Sequence, residues 1–135
     1  MGDIKHAESV QKVFTKRVCK RANISYLNYD DRLKKLGLEK LEARRIENDL
    51  ILIYKIINKL IDIDHTNHFS FTTFGGHNLR RHNLQITQTS KANTFTRQNY
   101  FSLRAVRHWN KLPENIVNSP TLAIFKINLK SLVVK

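Results

Sequence analysis

Cysteine is almost missing from this sequence: Cys19 stands alone among 135 residues. One thiol excludes an internal disulfide and a multi-cysteine zinc cage, and it fits a reducing compartment inside the cell, nuclear or cytoplasmic. Four glycines and two prolines leave few backbone breakers, which favours helices over a many-stranded sheet. Acid is scarce in one half, where residues 65–135 hold only Glu114. Long apolar runs are also lacking. The most apolar stretch, LILIYKII from Leu50 to Ile57, is too short to span a bilayer and fits a buried helix. The opening MGDIKHAESVQ has no apolar signal core. Asp3 and Glu8 argue against a mitochondrial leader, and His6 stands where a myristoylation signal requires Ser or Thr.

Positive charge is in excess. There are 24 Lys and Arg against 11 Asp and Glu, a formal net charge of +13. A chain this basic attracts polyanions, nucleic acid before anionic membrane. Its length suits one domain, residues 1–135, with a modest core.

Periodicity predicts a mainly α fold: a small helical domain of about five helices with an irregular or β-hairpin insertion at about 62–96. In residues 3–20 the apolar Ile4, Ala7, Val10, Phe14 and Val18 recur at three and four, and Lys5, Lys12, Lys16 and Lys20 fall opposite. A short helix from Asn28 to Leu36 stops at Gly37, a natural C-terminal cap. A long helix follows from about Glu39 to Leu60, with Ile46, Leu50, Ile53, Ile57 and Leu60 along one side. Within the insertion, FSFTTF and NLQITQT read as two hairpin strands or as an irregular loop, with Gly75-Gly76 as a turn. Helix resumes near Thr96, placing Phe101, Ala105, Trp109 and Leu112 on one face and ending at Pro113. Ser119 as cap and Pro120 at the first position open a last helix, with Leu122, Phe125, Leu129 and Leu132 on its apolar side.

Two constellations suggest a site. Lys5, Lys12, Lys16 and Lys20 line one predicted helix face; Arg97, Arg104, Arg107 and Lys111 line another, with Tyr100 among them. Spaced cations match a phosphate backbone, and an exposed tyrosine can stack on an unpaired base. The plainer reading is a pair of solvated helix faces. Two stripes in an acid-poor chain favour contact with RNA or DNA. Binding to anionic membrane through helix 3–20 is a further reading.

Other chemistry finds little footing. Tyr29-Asp30-Asp31 evokes the metal-holding aspartate pair of a polymerase. The following Arg32, Lys34 and Lys35 sit at helical spacing around Leu33 and Leu36, and Asn28 with Asp31 reads instead as a helix cap. The histidines His65, His68, His77 and His82 lack the cysteine or carboxylate partners of a zinc site. No Gly-rich phosphate loop appears, no base is placed for Cys19, and no cofactor or small-molecule substrate is evident.

The ordered segments ESVQKVFTKRV, YDDRLKKLGLEKLEARRIENDLILIYKIIN, GGHNL and YFSLRAVRHWNKLPENIVNSPTLAIFKINL resemble, over nearly the whole chain, one region of a known family. It is the region following the polymerase domain in reverse transcriptases of non-LTR retrotransposons, of the jockey and chicken-repeat-1 type. The most specific pieces are Arg32 to Leu38, Asp49 to Ile56 and Trp109 to Pro113. The resemblance implies the tail of an RNA-directed DNA polymerase lacking fingers and palm, with the catalytic aspartates N-terminal to Met1. Tyr29-Asp30-Asp31 then takes the place of the family's Tyr-Glu-Glu before Arg-Leu. Phe74-Gly75-Gly76-His77 replaces the family's Thr-Arg-Gly-His, so one arginine is missing. The implied role is a non-catalytic hold on template RNA or target DNA, or packing against the absent polymerase domain.

Overall fold

The computed structural model describes residues 2–25, 27–64, 66, 69–73, 84–88, 94 and 100–133. Among these, six helices and two strands form: α1 (Gly2–Arg21), α2 (Tyr29–Leu36), α3 (Leu41–Ile57), β1 (Phe69–Thr73), β2 (Leu84–Gln88), α4 (Phe101–Trp109), α5 (Glu114–Val117) and α6 (Leu122–Val133). The fold is mainly helical with a small antiparallel hairpin. The chain divides within α3 into two compact units, Met1–Arg45 and Ile46–Lys135.

Glycine scarcity shows at the helix ends. A helix commonly closes with a left-handed residue whose neighbours bond back to the last carbonyls. Gly37 does this after α2 at φ 63°, with Leu38 N–H reaching Leu33 O at 2.9 Å. Asn23 (φ 51°) does it after α1 and Lys59 (φ 52°) after α3, where Ile24 N–H bonds Cys19 O and Leu60 N–H bonds Lys55 O. A lysine in this conformation costs about 1–2 kcal/mol that a glycine would not.

In the first unit, α2 forms as expected. The Asn28 side-chain oxygen accepts the Asp31 N–H at 2.9 Å, so the aspartate pair belongs to a helix N-terminus. The orientation of α1 departs from its apolar periodicity. Val10 and Phe14 are 61% and 60% exposed, while Thr15 and Cys19 are buried and Glu8 and Gln11 half-buried. The inward face combines the buried Cys19 with a set of hydrogen bonds. Glu8 accepts the Tyr29 hydroxyl and, at 3.0 Å, the Leu41 N–H at the start of α3; Gln11 donates to Glu39 O at 2.9 Å.

In the second unit, α3 contributes Leu50, Ile53, Tyr54 and Ile56 to a core shared with Phe69, Ile86, Trp109 and Phe125. Each such side chain, fully buried, stabilises by about 1.5–3 kcal/mol. The Tyr54 ring stacks on Phe125 at 4.3 Å, and its hydroxyl donates to Ser119 O at 2.6 Å. The hairpin pairs Phe71 with Ile86, so Phe69 and Ile86 point inward while Ser70 and Thr87 are exposed.

Three boundaries differ from those the spacing predicts: α3 ends at Ile57, and Leu60, expected along its apolar side, is exposed beyond it. Pro113 caps the additional short helix α5 rather than directly ending α4, which stops at Trp109. The last helix is capped by Thr121, whose hydroxyl accepts the Ile124 N–H at 3.3 Å, and not by Ser119. Ser119 is buried; its hydroxyl donates to Ile116 O at 2.7 Å, and its carbonyl accepts the Tyr54 hydroxyl.

Candidate nucleic-acid interface

Lys5, Lys12, Lys16 and Lys20 are all exposed on α1. One turn of helix separates Lys12, Lys16 and Lys20, a rise of about 6 Å per step. Glu8, which could neutralise them, is turned inward and engaged by Tyr29 and Leu41. The Lys12 ammonium lies 5.1 Å from the centre of the Tyr29 ring, and the Arg32 guanidinium carbon lies 5.6 Å from it. Between Glu8 and these two cations, Tyr29 is pushed up to about 12, first by burial and then by its hydrogen bond to the carboxylate. At the head of α2, Asp30 pairs with Lys40 at 2.9 Å, which holds the carboxyl below and the ammonium above their ordinary ranges.

The second stripe is dispersed. Arg97 lies outside the described residues. Tyr100 is exposed and stands just before α4, Arg107 is exposed on it, and Lys111 is exposed in the turn after it. Arg104 is committed to the fold: its Nε and Nη2 fork onto Asp49 at 2.7 and 3.0 Å, with both side chains largely buried. A guanidinium held this way is not presented to phosphate.

Three features of the first unit escaped the sequence reading. Arg17 and Arg21 are exposed on α1 beyond the lysine row. Arg32 is only 8% exposed, and donates from Nη1 to Leu27 O at 2.7 Å and, at 3.4 Å each, from Nε to the Thr15 hydroxyl and from Nη2 to Lys12 O. Beside it lies a cavity of about 230 Å³, walled by Lys16, Cys19, Lys20, Ile24, Ser25, Leu27 and Arg32. The spacing of Arg32 within an amphipathic helix contains no signal that distinguishes it from Lys34 or Lys35.

His65, His68, His77 and His82 lie outside the described residues, and no group of three or more His, Cys, Asp or Glu gathers among the described ones. No helix among them is long and apolar enough to cross a membrane. No protein-family model matches the chain, and no curated protein or solved structure matches it.

Proposed function

We propose that this chain is a non-catalytic nucleic-acid-binding module, akin to the region after the polymerase domain of a non-LTR retrotransposon reverse transcriptase. The observation that carries the reading is the row of exposed lysines along α1, beside its inward side. Four lysines stand exposed in a row there, while the nearby carboxylate, Glu8, is occupied inward. Such a row neutralises successive phosphates and releases their counterions, so affinity falls steeply with salt. The net charge of +13 and the ordered resemblance support the same reading.

The test is fluorescence anisotropy of a labelled structured RNA titrated with the chain over a range of salt concentrations. Steep negative dependence of log affinity on log salt is expected. A Lys5→Gln/Lys16→Gln/Lys20→Gln variant should weaken binding and flatten the slope by about 2–3. An unchanged slope sinks the lysine assignment.

A second reading is favoured by the exposed Val10, Val13 and Phe14 on the same helix. In it, these helices pack against a polymerase domain, and the isolated chain has no activity of its own. It requires self-association that Val10→Gln/Phe14→Ser abolishes, and no RNA binding at low salt.

A further inference from the structure

The cavity beside α1 lies where the lysine row meets the buried arginine. Cys19, Ile24 and Leu27 give it apolar walls, and Lys16, Lys20 and Arg32 make its boundary cationic. At about 230 Å³ it falls below the roughly 300–1,000 Å³ of sites that enclose drug-sized ligands, and suits a single planar ring system. Arg32 adds an independent reason for a ligand. It is more than nine-tenths buried, its hydrogen-bond partners are a hydroxyl and two carbonyls, its guanidinium carbon lies 5.6 Å from the centre of the Tyr29 ring, and it forms no ion pair with a carboxylate among the described residues. A buried charge held by neutral groups alone is costly and is relieved by further acceptors. Base edges supply such acceptors, and base faces suit apolar walls.

We infer that this cavity receives one unpaired nucleobase of a single strand, with the flanking phosphates on Lys16 and Lys20. The inference rests on the nucleic-acid reading above and names the part of the ligand that enters the first unit. It implies a preference for unpaired over duplex segments, because a stacked and paired base cannot enter.

The experiment compares labelled oligouridine with an oligomer of the same length and charge whose central residues are abasic. Wild-type chain should bind the intact oligomer about tenfold tighter, with the same salt slope for both. Filling the cavity with Ser25→Phe, at an exposed residue on its wall, should reduce binding of intact oligomer to the abasic level and leave the abasic oligomer unaffected. Equal wild-type affinity for the two oligomers, with a steep salt slope, overturns the base site and leaves the lysine row standing. Binding of neither oligomer at low salt overturns the nucleic-acid reading and the base site together. Because the wild-type comparison needs no variant, the outcome holds even where Ser25→Phe fails to fold.

Discussion

The side chain of Asn110 completes the edge of the hairpin at Ile86. Its Oδ1 accepts the Ile86 N–H at 3.0 Å and its Nδ2 donates to the Ile86 carbonyl at 2.9 Å. One amide thus satisfies both backbone groups of a buried residue as a third strand would. The neighbouring Trp109 donates from Nε1 to Leu84 O at 2.9 Å, Leu112 is buried, and Pro113 caps α5. The Trp109 to Pro113 stretch, among the most specific pieces of the resemblance, therefore clasps the hairpin to α4.

Replacing Asn110 with Ala removes both bonds and strands a donor and an acceptor. A loss of about 1–3 kcal/mol in the stability of the second unit is expected, read as a lower denaturant midpoint. Hydrogen exchange at the Ile86 amide should accelerate. Unchanged exchange there would mean the clasp does not hold.

Arg104 and Arg107 should respond differently to charge reversal. Arg104→Glu sets a carboxylate against Asp49 in a largely buried pair and should destabilise by about 3–5 kcal/mol. Arg107→Glu, at an exposed position, should leave the melting temperature within about 2 °C and act only on RNA affinity. Equal thermal effects would remove the distinction.

Lys59 offers a gain. Its φ of 52° is strained for a lysine and free for glycine, so Lys59→Gly should raise stability by up to about 1 kcal/mol. Gly37→Ala should lose a similar amount purely through the backbone, since an added Cβ meets nothing within 4 Å. Thermal melts of both variants check the pair of signs.

Tyr29 makes the first unit sensitive to alkali. Its folded value of about 12 lies above the ordinary 10.0, so the fold favours the neutral phenol. That contribution is full below pH 10 and disappears as pH rises through about 12. Glu8→Gln removes the carboxylate and should return Tyr29 towards 10, seen in the alkaline tyrosinate absorbance difference between the Glu8→Gln chain and the same chain carrying Tyr29→Phe. No downward shift would separate the phenol from Glu8.

Local chemistry made much of this protein legible in its sequence. Asn28 to Gly37 reads correctly from cap to cap because those hydrogen bonds reach only three to five residues along the chain. The apolar run of α3 and the Trp109 face predict burial because helical spacing puts them on continuous stripes. The hairpin was one of two open readings, since FSFTTF and NLQITQT need each other to become strands. Tertiary structure alone decided which face of α1 turns inward. Glu8, Gln11 and Thr15 find partners at Tyr29, Leu41, Glu39 and Arg32, between 17 and 33 residues away, which no spacing within α1 encodes. It likewise separated Arg104 from Arg107, identical in the sequence pattern, because Asp49 lies 55 residues away from Arg104 and no local periodicity encodes that meeting. Residue type and short-range spacing set what each segment is able to do; distant partners set which of its side chains remain available to do it.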